Sequence, residues 1–232
     1  RTTGKDLQYN FQLANMYGRK GETAAMINEY MDILAENESY IQSIQNVLQT
    51  ILNPDPNGEV KEILRTILLT RIQKQPEKTI FSELLIWQYI QEKNFNGAFI
   101  QAKAIDKRLS ENGTRIYSLG RLALSNEEYD IAINCYQYII DKGRTNLYYN
   151  GARINLVDAI KEKINVAFET YRKDYSAYYE SCKHSNSPGI RDANPVVILY
   201  PRIGMFTFAK NKQTARVAAE FYINAINVMR GA

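Results

Sequence analysis

The sequence predicts an all-α solenoid of about 12 helices, stacked as antiparallel pairs. Three observations predict it. A small, a bulky and an apolar residue stand at offsets 0, +4 and +7 in Ala132, Tyr136 and Ile139, and those offsets share one face of a helix. The same set recurs one period earlier at Ala98, Ala102 and Ile105, and one period later at Ala167 and Tyr171, where Asp174 breaks the third position. It recurs at Met26, Tyr30 and Ile33, two periods before the Ala98 set, and at Ala218, Tyr222 and Ala225; Ile63 and Ile67 hold the phase without a small residue. The period is that of a helical repeat built from two helices. Finally, the six prolines and twelve glycines fall mostly between the helical segments.

The repeat is plainest over Ile116–Gly143, which reads as two short helices around a tight turn. Gly120 and Ala132 are small enough to let two helix backbones approach. Ser125 and Glu128 have the spacing of a capping box, in which the hydroxyl and the carboxylate each take a backbone amide of the other residue. One such pair leaves an apolar face open, so it needs neighbours of its own kind.

In chain order, 5–20 places Leu7, Phe11, Ala14 and Tyr17 at helical spacing, and Gly18 and Gly21 bracket a turn. Its partner, 22–36, carries Met26, Tyr30, Ile33 and Leu34 inward. Residues 38–52 follow, with Ile41, Ile44, Val47, Leu48 and Ile51 in one stripe, until Asn53-Pro-Asp-Pro-Asn-Gly58 stops the helix. Asp55, Asn57 and Glu59 offer too few oxygens for a calcium loop and read as a plain turn. Helices are expected at 59–74, 78–93 and 97–111, with Gly113 as a left-handed cap. Beyond Gly143, 146–160 and 162–182 read as one more pair. The rhythm then fails at His184–Gly189 and Asp192–Pro195. Residues 195–209 read as a helix beginning near Pro201, or alternatively as an extended stretch at 196–200. Residues 213–229 close the chain as an amphipathic helix.

These residues resemble a bacterial tetratricopeptide repeat (TPR) protein. Leu119, Gly120, Ala123, Tyr129, Ala132, Tyr136 and Ile140 fall at that family's spacing, with partial matches at Leu85, Tyr89, Ala98 and Ala102 and at Leu13, Ala14, Tyr17, Gly21 and Tyr30. The resemblance implies a single right-handed superhelix over 1–232, with helix-pair repeats at 5–36, 38–75, 78–112, 114–143 and 146–182, then an irregular loop and a terminal helix pair over 183–232. It further implies a concave groove lined by the first helix of each pair, which places Phe11, Asn15, Arg19, Glu83, Trp87, Gln91, Tyr117, Arg121 and Leu156 there. Trp87 is open to two readings, groove anchor or core. Asn15 and Arg121 resemble positions that clasp peptide ends, but Phe11 stands where a basic clamp would have lysine.

The remaining composition narrows the function classes. Charged residues are 23% of the chain and the formal net charge is +4, with bases interspersed among acids, so no nucleic-acid partner is expected. Seventeen tyrosines read as interhelix bulk or as a tyrosine-lined groove. No apolar run is long enough to span a membrane. The chain opens Arg1-Thr-Thr-Gly, as a trimmed or processed protein would, so the compartment stays open. Cys135 is expected to face a helix near position 170, leaving Cys182 about 18 Å further along at helical rise, too far for a bridge; both thiols are expected free. His184, the one histidine, lies in a loop beside Cys182 and lacks an orienting third group. Glu127 and Glu128 suit a helix start. No metal-ligand spacing or phosphate-binding glycine loop is present.

The sequence therefore leads to an expectation of a non-enzymatic scaffold that binds a protein or peptide, without catalytic residues, metal or cofactor. The alternatives are a repeat segment of a larger envelope assembly or enzyme, and a nucleic-acid-binding repeat. Oligomeric state stays open; the apolar face of 213–229 is the surface for an end-to-end homodimer if one forms.

Overall fold

The computed structural model describes residues 4–190, 192–200 and 204–231. Ten α-helices run in order: α1 (Gly4–Lys20), α2 (Thr23–Glu36), α3 (Ile41–Leu52), α4 (Glu59–Lys74), α5 (Thr79–Gln91), α6 (Phe95–Leu109), α7 (Thr114–Ser125), α8 (Tyr129–Asp141), α9 (Tyr149–Cys182) and α10 (Lys212–Met229). Between α9 and α10 lies a hairpin of β1 (Val197–Tyr200) and β2 (Gly204–Thr207). The chain divides into two compact units, Arg1–Ala159 and Ile160–Ala232.

The first unit is an α-solenoid, as expected. Helices α1 and α2, α5 and α6, and α7 and α8 pack as antiparallel neighbours, while α4 packs on α2 and α5, and α6 packs on α7 and α8. Two apolar cores result. One gathers residues of α1 to α5, among them Ile27, Leu34, Leu48, Leu68 and Phe81, all fully buried. The other gathers Ala98, Ala102, Ala132, Tyr136 and Ile139 with Ala152 and Ala159 of α9. The contact between α7 and α8 depends on Gly120. A methyl group there would stand 2.9 Å from both Cys135 Cβ and Tyr136 Cε1, closer than side-chain carbons approach.

The same turn closes three of the pairs. A left-handed residue at Gly21, Lys93 and Glu127 is followed by an amide that reaches back over the helix end. Glu22 N donates to Tyr17 O at 2.9 Å, Asn94 N to Tyr89 O at 2.8 Å, and Glu128 N to Ala123 O at 2.9 Å. These bonds satisfy carbonyls that a helix end otherwise leaves open. Gly21 stands two periods before Lys93, and Lys93 one period before Glu127, so the backbone repeats with the same phase as the side chains. The turn between α3 and α4 is different. Asp55 Oδ2 accepts the amide of Lys61 at 3.0 Å, and Gly58 takes the left-handed conformation at φ 73°.

Several expectations are corrected. Ser125 and Glu128 form no capping box: Ser125 is the last residue of α7 and its hydroxyl donates back to Leu122 O at 2.9 Å, while Glu128 precedes α8 without a side-chain cap. Residues 146–160 and 162–182 are not a pair, because α9 runs unbroken through them. Ile160-Lys-Glu-Lys163 holds no Gly, Pro or cap, and each added residue gains a hydrogen bond once a helix has started. Residues 197–200 and 204–207 form strands instead of a helix, with Val197 opposite Thr207, Ile198 opposite Phe206, Leu199 opposite Met205 and Tyr200 opposite Gly204. Val197 and Ile198 are β-branched, which favours the extended alternative; the helix start at Pro201 falls outside the described residues, as does the side chain of Leu7. These two changes reduce about 12 expected helices to ten among the described residues.

The second unit consists of the later part of α9, the hairpin and α10, with α10 packed on β2. Asn211 caps α10 by accepting the amide of Thr214 at 2.9 Å. Arg172 Nε donates to Asn194 Oδ1 at 2.8 Å, and Tyr179 Oη donates to Pro188 O at 2.6 Å.

Candidate functional site

The nine expected groove residues fall into three groups by environment. Asn15, Arg19 and Arg121 are exposed on α1 and α7, where the helices' inward faces are already filled by Ala14 and by Leu119, Gly120 and Ala123. Phe11, Trp87 and Leu156 are half-buried and pack against the cores; Phe11 meets the Tyr40 ring edge-on with centroids 5.3 Å apart. Glu83, Gln91 and Tyr117 are tied to neighbouring helices.

Those ties define the polar surface of the repeat. Glu83 on α5 pairs with Arg115 on α7 at 2.8 Å, and Arg115 also meets Glu111 at 3.1 Å. Partial burial pulls the Arg115 proton affinity down, but the hydrogen bond to Glu111 and the Glu83 charge outweigh it and hold the guanidinium above its ordinary range. Tyr117 stacks on Tyr148 with centroids 4.8 Å apart, and its hydroxyl accepts from Asn155 Nδ2 at 3.2 Å. A side chain at Gly151 would strike that hydroxyl, so Tyr117 fixes the start of α9 against α7. Gln91 Oε1 accepts from Gln49 Nε2 at 3.2 Å, which joins α5 to α3.

Gln49 and Gln91 stand at the edge of a cavity of about 160 Å³ between α3, α4 and α5. Gln88 lines the same cavity and is wholly buried. A second cavity, about 330 Å³, lies between α2 and α4 beside Asn28, Arg71 and Lys74; there Arg71 is already engaged by Asp32 at 2.5 Å.

Arg115, Gln88 and Asp106 are not among the residues that the sequence singles out. Asp106 is fully buried on α6, where it accepts from Tyr138 Oη at 2.7 Å and pairs with Lys142 Nζ at 2.5 Å. Burial, then the bond to Asp106, pushes the Tyr138 hydroxyl up to about 12. The signal for Gln88 is its place in Leu84-Leu85-Ile86-Trp87-Gln88, an uncharged polar residue in an apolar run. Nothing comparable marks Arg115, whose partners are set by α5.

The cysteines are both free. Cys135 is fully buried and packs on Gly120 of α7, where a small residue lets the two helices of the pair approach closely. Burial pushes its thiol up to about 12. Among the described residues no three His, Cys, Asp or Glu side chains cluster in a way that would hold a metal ion, and no helix is long and apolar enough to cross a membrane.

Comparison with known proteins adds a different kind of information. Residues 129–232 match the family model described as aldolase class II, second domain. Over 103 residues the chain is 29% identical to an uncharacterized oxidoreductase, YuxG, of Bacillus subtilis (strain 168); that stretch is 44% of this chain, and the chain spans 15% of the length of this curated relative. Among solved structures, the crystal structure of MamA protein aligns over 80% of this chain and 100% of its own, at 15% identity and a TM-score of 0.32.

The family match corrects the expectation that the protein is not an enzyme, since both the matched domain and the relative's name point to an enzyme family. Along the sequence, catalytic groups are recognisable only where they stand at close spacing. Active sites gather their groups from separate segments, so a matched segment can belong to an enzyme family without a local motif. The match begins at the first residue of α8, and so includes Ala132, Tyr136 and Ile139 of the repeat as well as the whole second unit.

Proposed function

We propose that Arg1–Ala159 is a TPR-type repeat that binds a protein or peptide segment, and that it serves as the interaction part of a protein related to the aldolase class II and oxidoreductase families. The observation that carries the first half is the row of uncommitted polar side chains on the first helices of the pairs. Asn15, Arg19 and Arg121 are exposed and make no ion pair or side-chain hydrogen bond within the described residues, whereas Glu83 and Arg115, which do, are held in one geometry. Arginine and asparagine with no partner to give up present unshared donors on a preformed helical surface, and their contacts with a bound segment need to exceed only the roughly 0.5–1.5 kcal/mol that ordering each side chain costs. The match over 129–232 supports the second half; it assigns no catalytic role to a particular residue. Self-association through α10 belongs to the same reading, since Val217, Phe221 and Val228 lie exposed along one side of it.

The test is peptide selection by display on the full chain, followed by titration of the selected peptides. Arg121→Ala combined with Asn15→Ala is expected to weaken them by roughly tenfold or more, as loss of two directed polar contacts does, with the helical circular dichroism unchanged. Peptides that bind the double variant as well as the parent would remove the basis for the groove.

A further inference from the structure

We propose that the cavity between α2 and α4 is a binding site for a single carboxylate, held by Lys74 and Arg71. The cavity measures about 330 Å³, at the lower end of the range that encloses small-molecule ligands. It is open along α4, where Thr66, Thr70 and Lys74, all part of its wall, are exposed. Arg71 lies deeper in the same wall, with 17% of its side chain exposed. Helix α2 holds its guanidinium in one place. Arg71 Nη1 pairs with Asp32 Oδ1 at 2.5 Å, and Nη2 donates to Asn28 Oδ1 at 3.1 Å. Asn28 is itself anchored, its Nδ2 donating to Ala24 O at 2.9 Å. A guanidinium carries more N–H donors than these partners use, and a fork already oriented loses little freedom when a ligand arrives.

The charge balance selects the occupant. Asp32 offsets the charge of Arg71 from the side of α2. Lys74 lines the cavity without a carboxylate partner among the described residues, so the site has one positive charge to match. An ammonium or guanidinium is repelled by both cations. An apolar group finds Ile67 as the one apolar residue of the lining. A doubly charged phosphate leaves a negative charge over, and it does so beside the last turn of α4, where Arg71 and Lys74 stand and where the open carbonyls of a helix end carry about half a negative charge. A carboxylate matches the single charge and takes two donors side by side. It comes from an acidic side chain of a bound segment or from a free small acid. The site lies on α2 and α4, whereas Asn15 and Arg121 lie on α1 and α7, so it stands apart from the peptide reading of those helices.

The ¹⁵N-labelled full chain is titrated at about pH 6.5 with sodium acetate, sulfate and chloride at matched ionic strength. The Arg71 Nε–H, the Asn28 side-chain amide and the backbone amides of Thr70 and Gln75 are followed. Saturable shifts are expected with acetate at roughly millimolar to tens of millimolar concentration, within what four heavy atoms sustain, and weaker ones with sulfate. Lys74→Met, at an exposed position, is expected to weaken acetate roughly threefold to tenfold, the range of one lost ionic contact. Asp32→Asn keeps an acceptor for Arg71 but removes the competing charge, and is expected to tighten acetate about twofold or more; an arginine serving only to join α2 to α4 would show no such gain. N-acetylglutamate N′-methylamide places the same carboxylate on a blocked main chain. Binding at least as tight as that of acetate identifies an acidic side chain as the source, and exclusion of this compound while acetate saturates identifies a free small acid. Shifts that chloride reproduces, acetate binding that Lys74→Met leaves unchanged, or tighter binding of sulfate than of acetate overturns the assignment.

Discussion

Arg1–Ala159 and Ile160–Ala232 are both mainly helical, yet they keep their apolar side chains in opposite places. In the first unit every pair covers the next, and the cores enclose large side chains such as Tyr136, Phe81 and Leu64. In the second, no described residue is buried. Phe221 is 73% and Val228 77% exposed, though α10 has the amphipathic spacing of a core helix. The difference shows what a repeat supplies. Burial needs a second surface of the same shape at the right distance, and a regular period provides one automatically. An amphipathic helix without such a neighbour keeps its pattern and gains little from it.

Side-chain truncation should separate the two units most strongly. Tyr136→Ala is expected to cost about 3–5 kcal/mol, as loss of a buried aromatic does, and Phe221→Ala less than about 0.5 kcal/mol, the range for an exposed site. Urea unfolding of dilute protein measures both. Similar costs would mean that α10 has a core of its own.

The thiols sharpen the contrast chemically. Cys182 is exposed and Cys135 buried, so a disulfide reagent is expected to label one thiol per native chain and two after unfolding. Burial also holds the Cys135 thiol at about 12, above the roughly 8.5 of an unfolded cysteine. The unfolded chain therefore loses this proton first as pH rises. The Cys135 contribution is complete below about pH 8.5 and is lost on the way to about 12. Tyr136 and Tyr138, also raised to about 12, chiefly by burial, act in the same direction. Urea midpoints followed from about pH 8 to 11 should fall steadily; a flat profile would show that water reaches this core.

The smallest expected effect concerns the turns. Glu127 holds a left-handed conformation at φ 64° where the equivalent turn has Gly21. Glu127→Gly is expected to stabilise the first unit by up to about 1 kcal/mol, the strain of a non-glycine residue there less the added freedom of the unfolded chain. Thermal unfolding tests it, and destabilisation would mean that the Glu127 side chain contributes more than its backbone costs.

The α-solenoid and its inward residues were legible because helical periodicity is local. Ala132, Tyr136 and Ile139 follow from spacing alone and are all fully buried. The site was less legible. Asn15 and Arg121 could be placed on the first helices, but the cavity around Gln88 is assembled from α3, α4 and α5, and no local pattern shows that Lys61 O and Glu92 will converge on one amide. The continuity of α9 is hidden for the opposite reason: the period of the earlier repeats predicts a turn near residue 161, where the chain contains no stop.

By itself, then, the sequence determined which stretches of the first unit are helices, which face of each turns inward, and the period at which they stack. Only the tertiary structure decided that Asp106 would meet Tyr138 and Lys142, that Glu83 would meet Arg115, and that 197–200 would pair with 204–207 as strands. The physical reason is range. A helix face is fixed by neighbours three and four positions away, whereas a part-buried polar pair such as Asp106 and Tyr138, on different helix pairs, depends on the turn that orients one pair against the next.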